Sequence, residues 1–538
     1  MNTLAPLLWQ RARRDRWTLT YWILGTGLLA LFAATAVRSE YGDDAARAGI
    51  LRLAVAHPSI LLLRGLPQGA GLDAFVFFQI FTYLALLAAL MSTLLAVRHS
   101  RAEEETGRAE LIASTRAARD SAAVATLVHG VAANVALGVA VAGGFALGGL
   151  ALRGSIVTGL AAAATGIVFL AIGLFVAQFV RTSRGANGVS AALVGLAFVL
   201  RGVGDALGTP TVDGLHMTSS WLSWLSPIGW GQHVAAFSGD TLLPLVPSLL
   251  LATAAGAGAL LLGARRDVGS SLLKARASRP QARRSLSTGF ALAWRLQWPS
   301  IVGWAVGAAA FGLFAGTLSG LIEQATAANP TVADTLRGLV SSDGSVDQAL
   351  ISAMFSIVGV LAAACAVQSV IRLRQEETSG LAEMVLATPV TRVRWLLDYV
   401  AVGALAIVIV ISAAWIVATA GVLASGDDTA HIGDATVAAA AQLPAALTYL
   451  GVLALVFAAL PTATVALGWA VLAVGAVLGI FGGIIGAPRW VRDVSPFSHI
   501  AALSGNSVAW NGGLWMVVIA AAAAGAAVAF MRRRDLRV

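Results

Sequence analysis

Residues 396–423 read LLDYVAVGALAIVIVISAAWIVATAGVL, an apolar run with one charged side chain, Asp398. A helix of about 20 apolar residues crosses the hydrocarbon core of a bilayer, so this run is long enough to span it. Eleven other segments have the same character. Together they predict twelve spans, at residues 17–37, 73–97, 121–144, 155–180, 186–207, 242–263, 300–320, 348–371, 396–423, 436–460, 462–486 and 513–531.

The composition of the whole chain is that of a protein with lipid as its main solvent. Of its 538 residues, 58% are hydrophobic and 12% are charged, and the mean hydropathy is +0.81. Soluble domains carry about a quarter charged residues, so this chain has too much apolar surface for a soluble fold. Because Cys365 is the single cysteine, the chain has no internal disulfide and no cysteine-built metal site.

The positions of the basic residues predict the orientation. With both termini in the cytoplasm, 27 of the 36 lysines and arginines fall on the cytoplasmic side. The net charge of +9 is thus expected on cytoplasmic loops, and no nucleic-acid partner is predicted. The sequence predicts a multi-pass protein of the plasma membrane. One lysine against 35 arginines, with abundant alanine and glycine, is typical of a GC-rich genome such as an actinobacterial one.

Two short loops repeat one another. Residues 101–119 read RAEEETGRAELIASTRAAR and residues 374–392 read RQEETSGLAEMVLATPVTR, and the two align without gaps. Each lies between the second and third predicted span of its half, so both halves have the same topology, as in a parallel repeat. The sequence therefore predicts an all-α polytopic membrane protein with about twelve transmembrane helices as two parallel six-helix repeats. The halves are residues 1–263 and 299–538, joined by a cytoplasmic linker with an interfacial helix at 264–298.

The repeated loops carry seven of the nine glutamates of the chain. Glu103 and Glu110 are seven residues apart and share one face of a helix, with Gly107 close to that face. An apolar stripe lies beside them, so each loop is predicted to form a short amphipathic helix. One interpretation is a solvated helix whose glutamates offset nearby arginines. A docking site for another protein is favoured, because both copies keep the same acidic positions.

The residue order in these loops resembles the permease subunits of type-2 ABC exporters. Their first cytoplasmic loop carries a pattern close to E-x-x-x-G-x-x-E-x-L-x-x-x-P-x-x-R. In the first of the two loops, Arg116 occupies the position at which the pattern has proline. The matching residues are Glu103, Gly107, Glu110 and Arg119 in the first copy and Glu376, Gly380, Glu383, Pro389 and Arg392 in the second. The resemblance implies a coupling helix on an ATPase subunit, with Glu104 and Glu377 among the acidic residues that pair with basic groups there.

A second pair of motifs precedes the last span of each half. Residues 221–227 read WLSWLSP and residues 490–496 read WVRDVSP. Trp221 and Trp224 are interpreted as interfacial anchors, with a gate formed by this segment as the alternative. By the same resemblance, an extracellular helical hairpin contains the Ser-Pro pairs of both motifs, Ser226 and Pro227, and Ser495 and Pro496. The resemblance also implies an interfacial helix at the start of each half, at residues 7–17 and 290–298.

The sequence lacks a motif for ATP hydrolysis. A phosphate-binding loop needs G-x-x-x-x-G-K-[ST], and the only lysine, Lys274, follows Leu273. The resemblance therefore implies a transport subunit that is not an enzyme and binds no cofactor, with ATP and Mg²⁺ on two copies of a separate cytoplasmic ABC ATPase. Fused twelve-span permeases of this kind resemble actinobacterial exporters of polyketide antibiotics and other drugs. The expected substrate is a hydrophobic small molecule.

Two other functions compete with this one. A proton-coupled secondary drug antiporter also has twelve spans in two parallel halves, but it predicts ionisable groups in mid-membrane. His129, placed about halfway across the third predicted span, is the main exception to a charge-poor interior. It is interpreted as a neutral histidine bonded to a neighbouring helix, with a place on the substrate path as the alternative. A membrane enzyme acting on a lipid-linked substrate needs a cluster of catalytic groups, and the acids near Glu40 have no histidine nearby.

Overall fold

A computed structural model describes the chain apart from residues 1–3, 57, 116–119, 268, 274–285, 318–345, 426–428, 482–487, 502, 505–506, 509 and 535–538. Arg119 of the predicted site and Arg116 lie outside the described residues. So do much of the predicted linker and the last residues of the spans predicted at 300–320 and 462–486. The strands of the described part are two short antiparallel pairs: β1 (Thr209–Pro210) with β2 (Met217–Thr218), and β3 (Leu503–Ser504) with β4 (Ser507–Val508).

Twelve helices in the described part of the chain are long and apolar enough to cross a membrane. They coincide with the twelve predicted spans, so the prediction of an all-α polytopic membrane protein is confirmed. Helices are what such apolar runs must form in lipid, because a helix satisfies its own backbone hydrogen bonds where water is absent.

Contacts divide the chain into two compact units, residues 1–278 and 279–538. Five of the described helices of the first unit are short segments between spans. In chain order its helices are α1 (Leu4–Glu40), α2 (Asp44–Ala56), α3 (Pro58–Leu63), α4 (Leu72–Arg98), α5 (Arg101–Glu105), α6 (Arg108–Ala113), α7 (Ser121–Leu147), α8 (Leu152–Phe179), α9 (Ser183–Ala206), α10 (Pro227–Gln232) and α11 (Val246–Arg265). Two 3₁₀ turns flank α10, at Trp221–Leu225 and Leu243–Leu245.

The second unit follows the same plan of long helices joined by short ones. Its described helices are α12 (Gly289–Thr317), α13 (Val346–Thr378), α14 (Leu381–Leu386), α15 (Arg392–Ser425), α16 (Ala430–Ala459), α17 (Thr464–Ala476), α18 (Arg489–Arg492) and α19 (Asn511–Arg533). Two 3₁₀ turns lie at Pro461–Ala463 and Pro496–His499, and a π-helical turn at Val477–Phe481 extends α17.

Small residues let the long helices of each unit pack closely. In α7 and α8 a β-carbon on Gly138 would lie 2.6 Å from the carbonyl oxygen of Gly159. In α12 and α15 a β-carbon on Gly312 would lie 2.1 Å from the carbonyl oxygen of Ala414. Helices in lipid associate through van der Waals contact of this kind rather than through the hydrophobic effect. The loops described below are therefore attached to tightly packed bundles.

The interfacial helices predicted at residues 7–17 and 290–298 are not separate elements. The structure has one continuous helix in each case, α1 and α12, and each predicted interfacial segment is its first part. Pro299 lies inside α12 without ending it, as is common for proline in membrane helices. One consequence is that Arg11 and Asp15 of α1 are buried within the first unit.

Candidate functional site

Each repeated loop follows the second spanning helix of its unit and turns at a glycine. In the first unit Gly107 has a φ of 71° and separates α5 from α6. In the second unit Gly380 has a φ of 73° and separates α13 from α14. This left-handed conformation is readily adopted by glycine and costs energy for other residues, which explains the glycine in both loops.

The prediction that Glu103 and Glu110 share one face of a single helix is wrong. The turn at Gly107 separates them, so Glu103 lies in α5 and Glu110 lies in α6. A β-carbon on Gly107 or Gly380 would meet no atom within 4 Å among the described residues. The glycine is needed for its backbone conformation, which interrupts the helix, rather than for close packing.

Glu104 binds two arginines of its own unit. Arg101 Nη1, one turn earlier, lies 2.8 Å from Glu104 Oε2. Arg266, just after α11, donates to both carboxylate oxygens: Nη1 lies 2.9 Å from Oε2, and Nη2 binds Oε1. Arg101 also donates to the carbonyl oxygens of Ala177 and Ser270, at 3.0 and 2.7 Å. We call Arg101, Glu104 and Arg266 the first clamp; it ties α5 to the ends of α8 and α11.

Glu377 has the same pair of partners in the second unit. Arg374 Nη1, one turn earlier, lies 3.1 Å from Glu377 Oε2. Arg534, just after α19, donates from Nη2 to Glu377 Oε1 and from Nη1 to the carbonyl oxygen of Phe457 at 2.9 Å. Arg392, the first residue of α15, donates to the backbone carbonyl of Arg534. We call Arg374, Glu377 and Arg534 the second clamp; it ties the end of α13 to the ends of α16 and α19.

Glu103 and Glu376 are also buried and paired inside their own units. Arg14 Nη1 lies 3.0 Å from Glu103 Oε1, and Arg11 Nη2 lies 3.5 Å from Oε2. Glu376 Oε1 accepts a hydrogen bond of 2.6 Å from Tyr399 and forms an ion pair with Arg372. The predicted acidic residues therefore fall into two groups, and the four in α5 and α13 bind groups of the chain itself.

The acidic residues beyond the glycines are exposed. Glu110 of α6 and Glu383 of α14 are both exposed, each followed by an exposed apolar side chain. Leu111 is 71% exposed and Met384 is 65% exposed. Pro389 is exposed in the turn before α15. Each loop thus presents a short tip with one carboxylate and one apolar side chain, which we call the first tip (Glu110, Leu111) and the second tip (Glu383, Met384).

The Ser-Pro pairs occupy equivalent caps. Ser226 is buried; its hydroxyl donates to the carbonyl oxygen of Ala197 at 2.6 Å and accepts from the backbone N–H of Ile228 at 3.2 Å. Ser495 is also buried; its hydroxyl donates to the carbonyl oxygen of Gly475 at 2.6 Å and accepts from the backbone N–H of Phe497 at 3.1 Å. Pro227 and Pro496 are the first residues of the short helices that these serines cap, a position that suits proline.

The tryptophans of the first hairpin face outward. Trp221 is 70% exposed and Trp224 is 44% exposed. The Trp224 ring lies 4.4 Å from the ring of His233, and burial lowers the pKa of His233 below its ordinary value. Residues 221–233 therefore present two exposed indoles beside the ring of His233, a surface suited to the membrane interface.

His129 belongs to a buried cluster near the first loop. The prediction that it lies about halfway across its span is wrong, because it lies in the first third of α7. Its Nε2 is 3.2 Å from Asp15 Oδ2 in α1. The same oxygen binds Nε2 of His99, which follows α4. His99 Nδ1 lies 3.2 Å from Glu103 Oε1. The interpretation of His129 as a histidine bonded to a neighbouring helix agrees with this contact, while a role on the substrate path stays a prediction.

The cluster fits hydrogen bonding better than metal binding. Ligand atoms of Asp15, His99 and His129 lie within 4.8 Å of one another, a separation that would also suit an ion. However, Arg98 Nη2 lies 3.2 Å from Asp15 Oδ1, and Arg11 and Arg14 pair with Glu103. Arginines thus already neutralise the charges of Asp15 and Glu103. A divalent ion would be repelled by these arginines.

Comparison with known proteins identifies the family. Residues 286–532 match the family model described as multidrug efflux system permease Rv1217c, C-terminal domain. The chain is 34% identical to the multidrug efflux system permease protein Rv1217c of Mycobacterium tuberculosis over 530 aligned residues. The aligned region covers 98% of this chain and 94% of that relative. This chain belongs to the multidrug efflux permeases. The resemblance to exporter permeases noted in the sequence is thereby confirmed, and the protein is a membrane transport protein.

Several residues that organise the loops of this permease were missed by sequence reasoning. Arg266 and Arg534 were counted only as basic residues of the linker and the tail. A signal was present, because each follows the last spanning helix of its unit. Asp15 and His99 gave no such signal. They lie far apart in the sequence, and no local motif indicates that Asp15 of α1 contacts His99 at the end of α4.

Proposed function

We propose that this permease is the membrane subunit of an ATP-driven exporter of the type-2 ABC class, which moves hydrophobic, drug-like molecules out of the cell. The matched geometry of the two loops carries the proposal. In each unit a left-handed glycine follows the second span, a glutamate is clamped to an arginine after the last span, and a short helix bears an exposed glutamate. Solvation alone gives no reason for two loops to share all three features.

The two groups of acidic residues have different roles in this proposal. The exposed carboxylate and apolar side chain of each tip bind an ATPase subunit, where charge-assisted hydrogen bonds fix the register. The clamps then transmit the movement of the docked ATPase. Glu104 joins α5 to Arg266 at the end of α11, and Glu377 joins α13 to Arg534 at the end of α19. A displacement of a loop is thereby passed to the last spanning helix of its unit.

Two tips on one chain fit two ATPase subunits, which bind ATP and Mg²⁺. The sequence has no phosphate-binding loop, which supports ATP hydrolysis by a separate chain. In this proposal both loops and both termini lie in the cytoplasm, which the excess of basic residues assigned to that side supports. The two units then form a parallel internal repeat.

Reversing the charge of both tips tests this function. In the variant E110R/E383R we expect at least about a tenfold loss of co-purified ATPase, since like charges now meet at the interface. Drug efflux should be lost in parallel. Each single variant should keep one of two ATPase copies, as counted by native mass spectrometry, and so show whether the tips are equivalent.

The matched control is D43R, which reverses an exposed acid between α1 and α2, far along the chain from either loop. It should leave ATPase binding and efflux unchanged. Membrane insertion of all variants is checked by size-exclusion chromatography in detergent. If E110R/E383R inserts normally and retains both ATPase copies, the docking role of the tips is refuted.

A proton-coupled drug antiporter is the second candidate, and one observation favours it. The buried cluster of Asp15, His99 and His129 is a group of ionisable side chains on the spanning helices, which such an antiporter needs. The cluster lies near the end of α4 and the start of α5 rather than midway along the spans, and its carboxylates are paired with arginines. We therefore favour the ATP-driven exporter. The two candidates differ in their energy source.

A further inference from the structure

The two units hold the equivalent inner glutamate in different ways. Glu103 and Glu376 align in the repeated loops, and each contacts the residue four positions earlier. In the second unit that residue is Arg372, whose Nε lies 3.4 Å from Glu376 Oε1. In the first unit it is His99, whose Nδ1 lies 3.2 Å from Glu103 Oε1. Arginine stays charged at every physiological pH, whereas histidine exchanges its proton between about pH 5 and 8.

The contacts of His99 require its charged form. One ring nitrogen faces Glu103, and the other binds Asp15 Oδ2. An ionised carboxylate can only accept hydrogen bonds, so both nitrogens must carry a proton. The carboxylates are kept ionised by the guanidinium groups of Arg14 and Arg98, at 3.0 and 3.2 Å. The ring itself has no exposed surface, so water cannot replace either partner.

Among the described residues, the other charged groups near His99 have partners that are compatible with a doubly protonated ring. His129 Nε2 also donates to Asp15 Oδ2, which the neutral ring can do. Arg11 Nη1 donates to Thr126 at 2.7 Å and its Nη2 pairs with Glu103. His99 also lies in the wall of a cavity of about 500 Å³ next to the first loop, whose ionisable lining residues are Glu103, Glu104, Asp120, Arg266 and Asp267. A proton can reach the buried ring from this cavity through Glu103, which lines the cavity and contacts His99 Nδ1.

We propose that His99 is a proton-binding site that latches the first loop, while the second loop is latched permanently by Arg372. With the proton bound, His99 bridges Asp15 of α1 and Glu103 of α5. When the proton leaves, one ring nitrogen presents a lone pair to a carboxylate oxygen, and that contact breaks. The latch is therefore closed at low pH and opens as the pH rises. A rise in cytoplasmic pH then loosens the first loop alone.

Spin labels at matched positions of the two loops test this site. The background is C365A, because Cys365 is the only cysteine. Ser114 and Ala387 are equivalent, exposed and just beyond the tips, so nitroxides are attached to S114C or A387C in separate samples. The permease is placed in lipid nanodiscs without any ATPase. Spectra are recorded from about pH 5.5 to about pH 8.5, which extends just above the interval in which a histidine changes its charge.

We expect the S114C spectrum to shift from immobile to mobile as the pH rises, and the A387C spectrum to stay constant. H99R, which copies the second unit, should abolish the shift at S114C. R372H, which copies the first unit, should create a shift at A387C. A pH-independent S114C spectrum, or a shift that H99R leaves unchanged, overturns the proposal.

A measurement on the unmutated chain guards against variants that do not fold. Nitrogen NMR of histidine-labelled permease should show one buried ring with both nitrogens protonated at about pH 5.5 and one nitrogen bare at about pH 8.5. A ring that is neutral throughout contradicts the proposal. The proton-dependent latch is independent of the proposed function, whereas any effect of the latch on transport rests on that function. Since neither measurement includes an ATPase, failure of ATPase docking and failure of the latch give different results.

Discussion

Arg201 and Asp205 form an ion pair with no exposed surface, one turn apart in α9. Arg201 Nη1 lies 3.2 Å from Asp205 Oδ2, and its guanidinium donates to the carbonyl oxygens of Leu61 and Leu62 at the end of α3. Gln232 donates to the same carboxylate oxygen at 2.8 Å. The pair therefore joins α9 to α3 and α10. Removing one charge would leave the other buried without compensation, which costs far more than the pair itself contributes.

The variant D205A should lower the free energy of unfolding by about 3–5 kcal/mol, because the guanidinium of Arg201 stays buried without its carboxylate. Unfolding in mixed micelles measures this loss. R153A is the matched control, since Arg153 is 79% exposed in its ion pair with Asp240, and its loss should cost less than about 1 kcal/mol. A D205A variant as stable as R153A contradicts the role assigned to the pair.

At the scale of elements, each clamp joins a loop to the end of a spanning helix. Glu104 and Arg266 are 162 residues apart in the chain, and Glu377 and Arg534 are 157 apart. Both carboxylates are shielded from water, with side-chain exposures of 12% and 1%, so these contacts are stronger than ordinary surface ion pairs. If the clamps transmit movement, breaking one should uncouple transport without releasing the ATPase.

The variant R534E should therefore keep its ATPase but lose efflux, because the second tip is intact while the loop is detached from α19. The exchange E377R/R534E should recover part of the efflux, since it restores opposite charges at the same positions, and the difference is read as a double-mutant cycle. Efflux is followed with a fluorescent drug, and ATPase binding by co-purification. Recovery is the decisive result, because a general defect in folding would not be repaired by a second charge reversal.

The prediction of the spanning helices succeeded because its information is local. Each span is a continuous apolar run of the sequence. The clamps were missed because their partners are more than a hundred residues apart and meet only when the helices pack. The break at Gly107 was missed because the seven-residue spacing of Glu103 and Glu110 is compatible with one continuous helix. Only the left-handed backbone conformation of Gly107 shows that the helix is interrupted.

At the scale of the whole molecule, the two candidate functions differ in the energy that drives efflux. One unit holds its inner glutamate through Tyr399 and Arg372, and the other through a cluster that contains His99 and Asp15. An antiporter would use that cluster to carry protons in each cycle. An ATP-driven exporter would use it to hold α1 against α4 and α5, with His99 as the proton-dependent latch, and would carry no proton across the membrane in its cycle. The two mechanisms therefore differ in whether this cluster must exchange a proton in every transport cycle.

The energy source separates these alternatives. If the permease is ATP-driven as proposed, an uncoupler that collapses the proton gradient while cellular ATP stays high should leave efflux unchanged. ATP depletion with the gradient maintained should stop it. D15N adds an independent test, because it keeps the shape of the side chain and removes the charge that two histidines share. An antiporter would lose all proton-driven efflux with D15N, since no proton could be carried in exchange. An ATP-driven exporter should keep its transport cycle and lose mainly stability, by about 1–3 kcal/mol, so efflux per folded molecule would persist.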